Sequence, residues 1–163
     1  MRAALFLVVL ISSLAACTPV ISKDSLNIVD RRVSFTELRK EPERYVGKNL
    51  LLGGGIVGVR NMADGSELEL VQFAADESGE ITDTAASGGR FIAWSSGFLD
   101  PALYRPGLLV TLVGEVRGKK TMPLGNVDYT YPVLAVREMH LWKPEEMTPT
   151  LFHFGVGVGT VIH

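Results

Sequence analysis

Residues 66–73 alternate between polar and apolar side chains more clearly than any other part of the chain. Glu67 and Glu69 alternate with leucines there, which is typical of a β-strand that buries one face. The preceding run at residues 49–60 is apolar and rich in glycine, and the Asp-Gly pair at residues 64–65 is typical of a tight turn. The pattern therefore predicts a β-hairpin.

Three further apolar runs predict strands, at residues 90–94, 108–117 and 129–142. Pro132 has no N–H to donate, so it puts the beginning of the last strand at a sheet edge or a bulge. Residues 75–89 are polar, acidic and rich in Ser, Thr and Gly, and this composition predicts a long exposed loop.

Capping signals predict two short helices. Ser34 stands three residues before Glu37, in the arrangement of a capping box at the beginning of a helix. Asp100 is followed by Pro101, which suits an N-cap and the first helical position, and Pro-Gly at residues 106–107 would end this second helix.

The predicted order is a helix, three strands, a short helix and two strands. A five-stranded barrel with a helix between its third and fourth strands has the order of an OB-fold. The sequence therefore predicts a mainly β fold, a small OB-like barrel of five to six strands with one or two short helices. Glycines suit the coiled strands of such a barrel, and they stand at positions 53, 54, 55, 58 and 114.

The chain begins with Arg2 and a short apolar segment that leads to Leu-Ala-Ala-Cys at residues 14–17. That order is typical of a secretory signal, and the apolar segment is shorter than the roughly 20 residues of a membrane span. Residues 14–17 resemble the lipobox of bacterial lipoproteins. The resemblance implies cleavage before Cys17, a thioether-linked lipid on its sulfur and acylation of the new amine. Two or more acyl chains hold a protein stably on a bilayer.

The alternative is an ordinary secretory signal with a cysteine just past its cleavage site. Cys17 is the one cysteine of the chain, so its thiol would then stay unpaired in an oxidising compartment. A thioether removes that liability and favours lipidation. Thr18, rather than Asp, follows the cysteine. By resemblance to enterobacterial lipoproteins, this favours the outer membrane over the inner membrane.

Chain length and net charge limit the range of possible functions. Without residues 1–16 the chain keeps 147 of its 163 residues, enough for one domain with its own core. It then has 15 Lys and Arg against 18 Asp and Glu, because only Arg2 is removed. A mildly acidic domain lacks the net positive charge that is typical of nucleic-acid-binding domains, so no nucleic-acid partner is expected. With no cysteine left for a disulfide, the fold must depend on its core.

Several short motifs together carry a family resemblance: PERYVGK at 42–48, GGGI at 53–56, GGRF at 88–91, GFLDP at 97–101, VTLVG at 110–114, YTYP at 129–132 and HLW at 140–142. With the lipobox, they resemble the Slp family of outer-membrane lipoproteins. The resemblance implies a lipid anchor, residence in the outer membrane and a link to starvation or acid stress. It implies no known reaction and no catalytic set.

Gly53, Gly55 and Gly58 match the spacing of a dinucleotide-binding fingerprint. That fingerprint works only where a helix begins and presents its N–H groups to a pyrophosphate. Residues 61–65 predict a turn instead, so strand curvature is the favoured interpretation of these glycines.

The histidines give no catalytic or metal-binding pattern. His140, His153 and His163 have none of the spacings of a zinc site, and no serine stands in a nucleophile elbow. His140 is interpreted as structural, whereas His153 and His163 stay open as weak metal ligands. No catalytic residue, cofactor or metal ligand is therefore assigned, and Cys17 is the one predicted site residue.

Two other patterns allow a binding role and a structural one. Residues 152–163 alternate glycine with larger residues, which favours a final strand over a ligand loop. An arginine and four aromatic residues could form a binding face of the OB type, but aromatic side chains in small barrels mostly supply core area. These five are Arg90, Phe91, Trp94, Tyr129 and Tyr131.

The sequence thus divides into a signal peptide (1–16), a lipidated tether (17–33), a barrel domain (34–145) and a glycine-rich strand or tail (146–163). The leading hypothesis is a non-enzymatic lipoprotein that faces the periplasm. Its expected partners are outer-membrane lipid, through acylated Cys17, and an envelope protein or component. The alternatives are an envelope hydrolase with an unrecognised site and a lipoprotein that binds a small ligand or a metal.

Overall fold

β-strands make up most of residues 20–144, the part of the chain that a computed structural model describes. The predicted signal peptide, Cys17 and the C-terminal run at 146–163 lie outside the described residues. The five strands predicted within the described residues are all present, and the last two extend further than predicted, to the turn at Gly125. The strands of the described part are β1 (Asn49–Met62), β2 (Gly65–Ala75), β3 (Ile81–Asp83), β4 (Gly89–Ser95), β5 (Leu109–Leu124) and β6 (Val127–Leu141).

Five of these strands close into a ring. β1 pairs antiparallel with both β2 and β5, β5 pairs with β6, and β2 pairs with β4. A parallel pairing of β4 with β6 completes the ring, and short β3 extends the end of β2. This is the strand order of an OB-fold, so the predicted mainly β, OB-like barrel is confirmed.

Glycines allow β1 to pair with two neighbouring strands at the same residues. Residues 53–55 pair with β2 on one side and with β5 on the other. A Cβ on Gly54 would lie 2.9 Å from the carbonyl oxygen of Val71, and one on Gly55 would lie 2.8 Å from the Phe73 ring. Because β1 continues as a strand to Met62, no helix follows these glycines, and their interpretation as curvature residues rather than a fingerprint is confirmed.

The first predicted helix covers one end of the barrel core. Ser34 and Glu37 form the predicted capping box before the helix we call α2 (Phe35–Lys40), and a 3₁₀ helix (Pro42–Tyr45) follows. Phe35 packs edge-on against Phe91, with ring centroids 5.7 Å apart. Around them lie the buried side chains of Leu38, Leu50, Leu52, Leu68, Leu70, Val110, Leu112, Val116 and Leu134.

The second predicted helix, beginning at Asp100, is wrong. Its residues form a turn in which the N–H groups of Leu103 and Tyr104 both bond to the Asp100 carbonyl at 2.9 Å. The Asp100 carboxylate accepts the N–H of Ala102 at 2.8 Å, as in an Asx turn. The proline and glycine at 106–107 stop the segment before a helix can propagate beyond its first turn.

The predicted exposed loop at residues 75–89 is partly ordered into the fold. Its residues 81–83 form β3, which pairs with the end of β2. Gly79 is buried, and its carbonyl accepts the Thr111 hydroxyl at 2.6 Å. Local bonds to Asp76 and a distant contact from Thr111 both order this polar segment, and its composition alone does not reveal the distant one.

The predicted tether at 17–33 is likewise wrong from Ile21 onward. Ile21 is fully buried, and helix α1 (Lys23–Asn27) follows it. Val29 then forms a parallel bridge with Asn49 at the beginning of β1. The segment lacks a clean period because single residues, rather than one continuous face, dock it on the barrel.

Candidate functional site

A groove of about 230 Å³ opens between the ends of the two long hairpins of the barrel. One hairpin is β1–β2, which turns at residues 63–64, and the other is β5–β6, which turns at residues 125–126. The groove thus lies on the face that OB-folds use for ligands, between the first and last hairpin loops. Its lining residues are Gly58, Val59, Arg60, Glu67, Glu69, Ile92 and Met122.

Glu67 joins the two hairpins across this groove. Lys120 donates from Nζ to both carboxylate oxygens of Glu67, at 2.7 and 2.9 Å, and Arg60 pairs with the same carboxylate. Burial alone would raise the pKa of Glu67, but the hydrogen bonds from Lys120 and Arg60 outweigh it and hold the pKa below 4.5. Glu67 is therefore ionised at neutral pH.

Glu69, two residues further along β2, holds a second polar cluster. Arg90 pairs with its carboxylate at 2.5 Å, and the Tyr131 hydroxyl donates to the same oxygen at 3.1 Å. Burial, and then the Glu69 charge, raise the pKa of Tyr131 above 10.0, so its hydroxyl stays protonated as a donor. Each carboxylate of the groove thus has a cationic partner.

The aromatic residues singled out in the sequence are mostly structural. Phe91 and Tyr131 are buried, and Tyr129 packs edge-on against Tyr131 with centroids 4.7 Å apart. The Tyr129 hydroxyl accepts the backbone N–H of Arg90 at 2.9 Å. Trp94 is half-buried on β4. The interpretation of these side chains as barrel core and rim is confirmed.

His140 lies away from the groove, beside the last residues of β6. Its ring packs edge-on against Trp142, with centroids 5.0 Å apart, and the Trp142 indole donates to Thr111 at 3.1 Å. Within residues 20–144, no group of histidines, cysteines and acids is arranged to hold a metal ion. His153 and His163 lie outside the described residues. No helix in the described part is both long and apolar enough to cross a membrane.

The groove chemistry suits binding better than proton transfer. A general acid or base works best with a pKa near the operating pH, whereas the pKa of Glu67 is held low. The described lining residues include no serine, cysteine or histidine that could act as a nucleophile. Apolar Val59, Ile92 and Met122 beside fixed charges offer a mixed surface for a ligand or a partner.

Sequence reasoning missed the groove. The alternation along β2 placed Glu67 and Glu69 on one face, and this was the one available signal. Arg60 is near in sequence, but Lys120 stands 53 residues from Glu67. Only closure of the barrel brings Lys120 to that carboxylate.

Comparisons with a family model and with individual proteins agree on one family. The family described as Outer membrane lipoprotein Slp family matches residues 14–156. The Outer membrane protein Slp of Escherichia coli (strain K12) is 29% identical over 148 residues, which cover 88% of this chain and 78% of that protein. The lipoprotein YeaY of the same strain is 36% identical over 101 residues, which cover 62% of this chain. That match spans only 52% of the length of YeaY.

Solved structures of single-stranded DNA-binding proteins give weaker likenesses. One from Streptomyces coelicolor is 14% identical and covers 57% of this chain and 92% of its own, with a TM-score of 0.37. The mitochondrial protein Rim1 from S. cerevisiae is 13% identical and covers 59% and 95%, with a TM-score of 0.31. Neither likeness bears on what this chain binds.

Proposed function

Because this chain belongs to the outer membrane lipoprotein Slp family, which matches residues 14–156, we propose that lipid on Cys17 anchors it to the outer membrane. The barrel faces the periplasm and serves as a binding module rather than as an enzyme. Its partner is an envelope protein or another envelope component, in line with the stress-related role that the family resemblance implies.

The observation that carries the binding role is the pairing of both groove carboxylates with cations. Glu67 is bound by Lys120 and Arg60, and Glu69 by Arg90. The lowered pKa of Glu67 makes it a poor proton donor, and both carboxylates form with their cations a fixed charge pattern that a partner can match. The net charge of −2 argues against nucleic acid as that partner.

Replacement of the lipid acceptor tests the anchor. Cys17→Ser should remove incorporation of a labelled fatty acid and release the protein from the outer-membrane fraction. The matched control is Ser13→Ala in the apolar leader, which keeps the cysteine. A Cys17→Ser protein that stays in the outer membrane at the wild-type level would contradict the lipid anchor.

Photo-crosslinking in whole cells tests the groove. A photoreactive residue in place of Met122, in the groove, should give a defined adduct, and one in place of exposed Leu103, in the turn after Asp100, should not. Lys120→Glu should remove the adduct, because it reverses a charge beside Glu67.

Assays for hydrolysis give the opposing outcome. The full-length protein should not turn over peptidoglycan or lipid esters. Turnover that Glu67→Gln or Glu69→Gln abolishes, with an unchanged melting temperature, would replace the binding role with an enzymatic one.

A further inference from the structure

The distance between the lipid and the barrel is limited by the short chain that joins them. Ile21 is fully buried, and it stands four positions after Cys17, with three residues between them. Four steps along the chain span at most about 14 Å even when fully extended. The barrel surface around Ile21 must therefore lie within that distance of the lipidated residue.

The contacts of Ile21 identify the barrel surface that lies near the lipid. It packs beside Gly79, where an added Cβ would lie 3.3 Å from the Ile21 side chain, 2.9 Å from Thr111 and 3.6 Å from Leu51. Leu51 and Thr111 alternate along their strands with the core leucines at 50, 52 and 112. They therefore point to the outside of the barrel. Ile21 thus docks on the outer face of β1 and β5.

An open concavity of about 470 Å³ lies on this same outer face. Residues 28–32 form one wall and residues 47–49 form the other. Asn49 is two residues from Leu51 on β1, so both side chains project to the same face, about 7 Å apart. Arg31 also donates to the Glu77 carbonyl at 3.4 Å, in the turn that carries Gly79.

The concavity is basic. Its charged side chains are three cations, Arg31, Arg32 and Lys48, and one carboxylate, Asp30. Arg32 and Lys48 both pair with Asp30, at 3.0 and 3.1 Å, yet their own side chains stay 84% and 47% exposed. Hydrogen bonds from Arg32 and then Lys48 hold the pKa of Asp30 well below its usual range, so the carboxylate stays charged.

We propose that this basic concavity rests on the headgroup layer of the bilayer that carries the Cys17 lipid and binds the phosphate groups of its lipids. The inference depends on the proposed function, because the 14 Å limit is counted from a lipidated Cys17. Arginine and lysine near an anionic membrane surface are attracted to it, and arginine matches phosphate geometry.

The groove then points away from the bilayer. Arg60 is nine residues, or about 30 Å of strand, from Leu51. Val127, at the tip of the other hairpin, is eleven residues or about 36 Å of strand from Glu138, which is bonded to Ser22. The membrane contact and the groove thus occupy opposite ends of the long hairpins.

Two matched labels test this orientation in the acylated protein that begins at Cys17. Ile28→Cys borders the concavity and Val127→Cys lies at the hairpin tip, and both replace exposed β-branched residues. The protein is placed in vesicles of phosphatidylcholine with phosphatidylglycerol, labelled with a polarity-sensitive dye and exposed to a quencher attached to lipid headgroups. We expect strong quenching at residue 28 and little at residue 127.

Neutralising the cations tests the role of charge. Arg31→Gln with Arg32→Gln should reduce quenching at residue 28 in vesicles with phosphatidylglycerol. The double change Arg105→Gln with Lys119→Gln, which removes the same charge elsewhere, should not. Raised salt should act like the first pair, because it screens exposed charges.

The outcomes separate this inference from the anchor. Protein that fails to float with the vesicles contradicts the lipid anchor itself. Protein that floats but shows equal quenching at residues 28 and 127 keeps the anchor and overturns the membrane contact. If millimolar inorganic phosphate shifts the residue 28 signal in detergent as much as phosphatidylglycerol does in vesicles, the concavity binds free phosphate and the inference is also overturned.

Discussion

Ser22 donates two hydrogen bonds to Glu138, from its backbone N–H to Oε1 at 2.8 Å and from its hydroxyl to Oε2 at 2.5 Å. This contact joins the beginning of the described chain to the last strand, 116 residues later. Together with buried Ile21, it makes the N-terminal segment part of the domain.

Glu138→Gln should loosen this segment without unfolding the barrel. An amide keeps one acceptor oxygen but loses the other, and the loss of one hydrogen bond costs about 1 kcal/mol. Amide hydrogen exchange at neutral pH should become faster in residues 21–29 and stay unchanged in β5. Glu43→Gln is the control, because Glu43 is exposed. Its one ion pair in the described part of the chain is with Lys119, at 3.9 Å. Equal exchange in both variants would contradict the role of Glu138.

Low pH should release residues 21–29 from the barrel in the same way. Burial raises the pKa of Glu138, but the hydrogen bonds from Ser22 prevail and bring it below 4.5. Because the folded-state pKa is lowered, the stabilisation is complete above pH 4.5 and is lost as the pH falls through the folded-state value. The Ser22 amide resonance should titrate in that acidic range, and Glu138→Gln should abolish the titration. A Ser22 titration centred above pH 4.5 would be inconsistent with this linkage.

Replacement by alanine should lower the stability of the fold at one glycine of β1 and leave it almost unchanged at another. Gly54→Ala puts a methyl group 2.9 Å from the backbone carbonyl of Val71, and overpacking of this kind costs about 1–3 kcal/mol. Gly58→Ala meets nothing within 4 Å and should change stability by less than about 0.5 kcal/mol. Thermal unfolding of the two variants measures the difference, and equal melting temperatures would show that close approach at Gly54 is unimportant.

Limited proteolysis should cut residues 84–87 rather than the whole 75–89 segment. These four residues are exposed and lie outside the strands of the described part. Residues 76–80 are held by the bond from Thr111 to Gly79 and by the Asp76 carboxylate, which accepts the Glu80 N–H at 3.0 Å. Elastase should therefore cleave after Ala85 or Ala86. Thr111→Val should add a second cut within 76–80, and an unchanged pattern would show that this bond does not protect the turn.

The sequence was informative wherever neighbouring residues decide the outcome. The alternation at 66–73 identified β2, and the Ser34 and Glu37 pair identified the beginning of α2. The turn after Asp100 carries the same signals as the beginning of a helix, because Asx turns and N-caps use the same residue types and the same first hydrogen bond.

The candidate groove and the membrane-side concavity depend on contacts between residues far apart in the chain. Lys120 reaches Glu67 only because the ring of strands closes, and Ile21 is buried beside Gly79 and Thr111 on the outer face.

By itself, then, the sequence determined the strand pattern, the helix cap and the family resemblance, each of which rests on residues close in the chain or on motifs. Only the tertiary structure decided which charges meet in the groove and where the N-terminal segment docks. The physical reason is that side-chain periodicity follows from local backbone geometry, whereas pairing across the barrel requires the whole ring to close.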